Sequence, residues 1–280
     1  MNNSVNILSS RPRIGITIGD AAGIGVEVVL KAVADAEIQK ACVPIIIGDA
    51  RFLRETALRL NLFADYEVIK NGENVPRESK FPLIYDLANI NESVTMGIES
   101  AATGKAAAEY IEKAVELCYK QNQIEAISTA PISKNALSMA GYKFPGHTEF
   151  LAHLTDTKEF AMSFFSGNLR VVLLSTHVSV RDALDLIKRD AVSNLIRLTN
   201  REMKRLGFER PKIAVAALNP HGGENQMFGN EEFEEINPAI EDCRSDGIDV
   251  SGAISADTLF RRVGRGVFDV AIALYHDQAT

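Results

Sequence analysis

Three histidines occupy the same kind of position in three separate stretches of the chain: His177 in LLSTHVSVRD, His221 in ALNPHGGE and His276 in ALYHDQ. Each lies at the polar end of an apolar run (168–175, 212–218 and 268–275) that reads as a buried strand. In open α/β sheets, ligands gather outside the carboxyl ends of strands, because the loops there vary freely while the strands hold them rigidly. A neutral imidazole is the commonest protein ligand for a first-row divalent metal, and three of them leave coordination positions for substrate oxygens. The alternative is that each ring caps a strand or bonds a backbone carbonyl. That three of only five histidines share the position weighs toward a metal.

The elements that must carry these residues alternate along the whole chain, with no internal repeat or low-complexity tract, which is an α/β signature. Residues 13–18 read as a strand, GDAAGIG as a turn, and 26–41 as a helix. Strands follow at 43–47, 66–69 and 83–85, with Asp49 placed to cap a helix running to about Leu60. Residues 100–120, rich in Ala, Glu and Lys at helical spacing, predict a long helix, and 124–128 a strand that Pro131 stops. The chain has 280 residues, 46% hydrophobic and 24% charged, enough for two packed lobes, here expected as 1–130 and 131–280.

A net charge of −7 and the lack of a Lys/Arg stripe argue against a nucleic-acid partner. No apolar run is long enough to span a bilayer, and the start MNNSVNILSSRPR lacks the basic-then-apolar order of a signal peptide, so a cytoplasmic protein without a membrane partner is expected. Cys42, Cys118 and Cys243, widely spaced and without a CxxC pair, read as reduced packing residues.

The chain resembles the 4-hydroxythreonine-4-phosphate dehydrogenases of pyridoxal phosphate synthesis and their relatives acting on erythronate or threonate 4-phosphate. The resemblance runs through ITIGDAAGIGVE, STAPISKNAL, GYKFPGHTEFLA, STH, LNPHGGE, SADTLF and YHDQ, in the family's order and spacing and over almost the whole chain. It implies a two-lobed α/β/α fold similar to isocitrate and isopropylmalate dehydrogenases, in a homodimer with the active site near the subunit interface. A Rossmann domain is not expected, and GDAAGIG indeed lacks the GxGxxG spacing. Carried over residue by residue, the resemblance implies His177, His221 and His276 as metal ligands and His147 with Thr148 as substrate-binding residues. The latter two follow Pro145 and Gly146, a turn that would present both side chains to a phosphate or carboxylate.

The expected reaction is oxidation of a phosphorylated hydroxy acid, 4-phosphooxy-L-threonine first, to a 3-oxo acid that loses carbon dioxide to give 3-amino-2-oxopropyl phosphate. Hydride passes to NAD or NADP, and a divalent metal (zinc first; cobalt, nickel, manganese or magnesium are compatible) lowers the pKa of the reacting hydroxyl. Asp277, next to a proposed ligand, and Asp257 in SADTLF are placed to orient an imidazole or move a proton, or else act as ordinary surface or capping carboxylates. Gly23, Ile24 and Gly25 open a helix whose free amides suit an anion or the cofactor, and a purely structural tight turn accounts for them equally. Lys134 could pair with an anionic substrate, while Arg181 and Asp182 carry no assigned role. Two departures stand out. Ala21 replaces the family's usual proline, and the resemblance implies several dozen residues beyond YHDQAT, carrying a substrate-phosphate lysine and arginine and much of the nucleotide site. The expectation is therefore a fragment, with an incomplete first lobe and an impaired, ligand-binding state as an alternative to a working enzyme.

Overall fold

The computed structural model describes residues 11–62, 65–91 and 94–279; the N-terminal stretch read above for its lack of signal-peptide order falls mostly outside them. The chain divides into two compact units, Met1–Lys158 and Glu159–Thr280. This boundary comes later than the one expected at 130/131, because the STAPISKNAL and GYKFPGHTEFLA segments pack with the helix at 100–120.

In the first unit, β1 (Arg13–Thr17), β2 (Val43–Gly48), β3 (Glu67–Lys70), β4 (Leu83–Asp86) and β5 (Ala126–Thr129) form a parallel sheet in the order β3-β4-β2-β1-β5. Every residue of β2 is buried. Such a strand is covered on both faces, and its unbroken apolar sequence VPIII, without alternation, is the consequence. The helices are α1 (Gly25–Ala34), α2 (Ala36–Ala41), α3 (Ala50–Arg59), α4 (Ala101–Val115), α5 (Lys134–Met139) and α6 (His147–Leu154). The single helix expected at 26–41 is broken at Asp35, whose extended backbone ends α1 and whose carboxylate accepts the Glu37 N–H to start α2. Asp49 caps α3 as expected, accepting the Phe52 N–H at 2.9 Å. Ser100 caps α4, which a wider turn extends from Glu116 to Lys120, so the helical segment has the expected length.

The second unit contains β6 (Ser163–Ser166), β7 (Leu169–Leu173), β8 (Ile213–Ala216), β9 (Val250–Ile254) and β10 (Val270–Ala273), ordered β6-β7-β10-β8-β9. All pairings are parallel except the β6–β7 hairpin. Its helices are α7 (Val180–Asp185), α8 (Arg189–Arg205), α9 (Asn237–Ser245) and α10 (Ala256–Gly264). β8 and β10 are buried throughout. Ile213, Val215, Val270 and Ile272 share one cluster with Ile196 of α8 and Ile240 of α9. Each such side chain contributes roughly 1.5–3 kcal/mol by leaving water, which makes the strands under the three histidines the rigid part of the unit. The three cysteines are free, with Cys243 fully buried against α8.

Candidate active site

The strand order explains how three distant segments reach one place. β10 lies between β7 and β8, pairing Ala273 with Leu173 on one side and Ile272 with Val215 on the other. Because all three strands run in the same direction, their exits open on one edge of the sheet, and those exits are the segments that carry His177, His276 and His221. Periodicity locates each strand but not its neighbours, so this adjacency was not legible from the sequence.

His177 and His276 line a common cavity of about 160 Å³ together with Thr176, Tyr275 and Asp277. The Nδ1 atom of His276 lies 2.9 Å from a carboxylate oxygen of Asp277, and Phe164 of β6 meets the ring edge-on, with centroids 6.3 Å apart. A carboxylate on one ring nitrogen favours the proton there and places the lone pair on the other, the tautomer a metal ligand requires. After His177 the chain turns into α7. Ser179 caps that helix, accepting the Asp182 N–H and donating its hydroxyl to the Asp182 carboxylate, which gives Asp182 a structural task.

His221 stands on a loop of unusual backbone. Residues 221–226 all have positive φ, including the non-glycine residues His221 (53°), Glu224 (40°), Asn225 (54°) and Gln226 (74°). Such conformations cost on the order of 1–3 kcal/mol each and persist only where the surroundings hold them. The hold here is Glu232, a buried carboxylate that accepts the Asn219 backbone N–H at 2.7 Å and its side-chain amide at 2.9 Å; Glu231 accepts the same amide. Sequence reading missed this grip, since nothing local marks Asn219 and Glu232 as partners. Asp257, at the start of α10, is kept below the ordinary carboxylate range by hydrogen bonds from Ser255 and Thr258, and the nearby His221 acts in the same direction. Among the described residues of a single chain, no group of three or more His, Cys, Asp or Glu side chains is arranged to hold a metal ion. His221 lies outside the cavity shared by His177 and His276.

His147 and Thr148 belong to the first unit, at the first turn of α6. Phe144 stacks on Phe150 at 4.5 Å, and Phe150 sits among Ala108 and Ile111 of α4 and Leu137 of α5, so the apolar residues of GYKFPGHTEF fix the turn. The His147 ring is half-buried, Thr148 is exposed, and the His147 Nε2 atom is buried without a hydrogen-bond partner. Burial pushes the imidazole pKa down, more than the nearby Ala130 carbonyl raises it. The ring is thus neutral at neutral pH, with a buried polar atom that only a ligand or water would satisfy.

The GDAAGIG turn has its own structural logic. Gly19 has φ +70°, and a Cβ there would lie 2.1 Å from the Pro131 carbonyl oxygen; one at Gly25 would lie 2.6 Å from that of Ile18. The Gly23 N–H bonds the Asp20 carbonyl, and the Asp20 carboxylate accepts the Ala22 N–H. No side chain caps α1, and Ile24 is exposed beside its first turn. Lys134 opens α5, capped by Ser133. Glu99 accepts hydrogen bonds from Ser133 and Asn135 on either side of that lysine, which holds the Glu99 carboxyl below its usual pKa.

Comparison with known proteins agrees with the resemblance. The family model for pyridoxal phosphate biosynthetic protein PdxA matches residues 40–280. A D-threonate 4-phosphate dehydrogenase of Cupriavidus necator is 43% identical over 268 residues, 95% of this chain and 80% of that protein. Among solved structures, a 4-hydroxythreonine-4-phosphate dehydrogenase from Burkholderia phymatum superposes with TM-score 0.87 at 41% identity, and one from Klebsiella pneumoniae with 0.88 at 35%. Both comparisons cover 97% of this chain and 82% of the other. The fold is accordingly that of the isocitrate/isopropylmalate dehydrogenase-like group, as expected.

Proposed function

As the chain belongs to the PdxA family, we propose that it is an NAD-dependent dehydrogenase of a four-carbon 4-phosphorylated hydroxy acid, working as a cytoplasmic homodimer. D-threonate 4-phosphate is the substrate put first, because the relative bearing that name is 43% identical over 95% of the chain. The second reading is 4-phosphooxy-L-threonine, favoured by the likeness of the fold to the 4-hydroxythreonine-4-phosphate dehydrogenases of Burkholderia phymatum and Klebsiella pneumoniae. The observation that carries the oxidoreductase reading is the delivery of His177, His221 and His276 to one edge of one sheet by three adjacent parallel strands.

Three imidazoles, one of them backed by a carboxylate, make a donor set suited to a divalent cation of intermediate softness, zinc above all. When bound, such a cation lowers the pKa of the hydroxyl being oxidised, while the nicotinamide accepts the hydride from the same carbon. His177, His221 and His276 are the residues that would hold the cation. Since no three-ligand group lies within one chain among the described residues, the reading assigns completion of the site to the homodimer.

The remaining roles fall to this chain's own side chains. Asp277 orients His276 through the 2.9 Å contact, and Asp257, kept charged, faces the field of His221. The reading gives the hydroxyl proton to one of these two carboxylates. His147 offers its buried Nε2 to the substrate, with Thr148 next to it in the chain, and of the Gly23, Ile24 and Gly25 amides at the start of α1 the last two are assigned to the cofactor, the Gly23 N–H being taken by the Asp20 carbonyl. The product is a 3-oxo acid, which loses carbon dioxide readily because the carbonyl accepts the electron pair left by the departing carboxylate. The test is NADH formation with each phosphorylated acid, before and after chelation. Turnover of D-threonate 4-phosphate that chelator abolishes is the expected result; turnover unaffected by chelator would remove the metal from the reading.

A further inference from the structure

Past the last paired residues of the three histidine-bearing strands, where the backbone still joins the Leu174 N–H to the Ala273 carbonyl, side chains add further hydrogen bonds. The residue after β10 is Leu274. Its carbonyl accepts the Ser175 hydroxyl at 2.9 Å, from a buried serine just past the end of β7. Its N–H donates to Oε1 of Gln278 at 2.8 Å. The same Gln278 amide turns its Nε2 to the carbonyl of Ala217, the residue after β8, at 2.7 Å. Three strand exits are therefore joined by two side chains, at the point where each chain leaves the sheet for a histidine. Gln278 is the more demanding of the two. It uses its acceptor on one strand exit and its donor on the next, and only a side-chain amide of that length supplies both from one planar group.

We propose that Gln278 is a positioning residue, which locks the exits of β10 and β8 together and, with Ser175, that of β7, so that the segments carrying His276, His221 and His177 leave the sheet in a set relation. The proposal rests on the metal-site reading above. Gln278 bears on a bound cation only through the backbone it holds. Glutamate at 278 would keep the acceptor for Leu274 but set a carboxylate oxygen against the Ala217 carbonyl; methionine would fill the space and satisfy neither group, leaving two backbone groups unpaired.

The test uses the whole 280-residue chain with zinc as the probe, comparing wild type, Gln278→Glu, Gln278→Met and Ser175→Ala. Zinc affinity is read by competition with a chromophoric chelator, and the melting temperature is read on metal-free protein. The expected result is zinc binding weakened about 10- to 100-fold in both Gln278 variants, the range typical of residues that orient metal ligands without touching the metal. The melting temperature of the metal-free variants stays within a few degrees of wild type. Wild-type zinc affinity in folded variants overturns the positioning role while leaving the metal reading intact. A wild-type chain that binds no zinc overturns both. Should a Gln278 variant fail to fold, Ser175→Ala interrogates the same lock from β7, and unchanged zinc affinity in it counts against the proposal.

Discussion

The buried carboxylate of Glu232 holds Asn219 by two hydrogen bonds at once, accepting its backbone N–H at 2.7 Å and its side-chain amide at 2.9 Å. Thirteen residues apart, the two close the loop that carries His221 through its run of positive φ. Glu232→Ala would leave the backbone N–H without its acceptor and the side-chain amide with Glu231 alone. The expected cost is about 2–3 kcal/mol of stability, read as a lower urea midpoint, because bonds to a charged acceptor are the stronger kind and their loss strands the backbone N–H.

A second prediction concerns pH. Burial lowers the His147 pKa below the ordinary 6.5, so between the folded and unfolded values the unfolded chain binds more protons. Stability must therefore rise with pH through that window and fall as the solution is acidified below about pH 6.5. His147→Gln removes the group. The loss of stability between about pH 7 and 5.5 should then be smaller in the variant than in wild type, and equal losses would contradict the assignment.

How far the sequence reaches is visible in the second sheet. The apolar runs before His177, His221 and His276 announce three strands, since buried parallel strands are uniformly apolar and end abruptly at polar loops. β6 and β9 were not read: SFFS is short and exposed, and VSGAI mixes polar and small residues without a clear period. The order β7-β10-β8 is a tertiary fact that no local pattern encodes. The same holds for Asn219 with Glu232 and for Gln278 with Ala217, where ordinary polar residues acquire partners only once strands are adjacent. Asp35 is the opposite case, a capping residue whose type alone could have divided the expected helix at 26–41.

Packing of the GDAAGIG turn gives a third prediction. A methyl group at Gly25 would sit 2.6 Å from the Ile18 carbonyl oxygen, whereas one at Gly23 meets its nearest atom at 3.3 Å. Gly25→Ala should destabilise the protein by about 1–3 kcal/mol, the usual range for overpacking, and Gly23→Ala by clearly less. Thermal melts of the pair, run side by side, check the difference.

Asp277→Ala isolates the carboxylate that contacts His276. Since Asp277 is exposed, its removal should leave the melting temperature unchanged and lower zinc affinity by about 10-fold, through loss of ring orientation. Chelator competition on the purified protein reads the effect directly.

The most direct measurement for the central claim is NADH formation from D-threonate 4-phosphate by the metal-stripped chain, before and after zinc is restored, with His177→Ala, His221→Ala and His276→Ala alongside. The account predicts turnover only with metal, and its loss in all three variants. Undiminished turnover in the stripped protein, or in any of the three histidine variants, would contradict it.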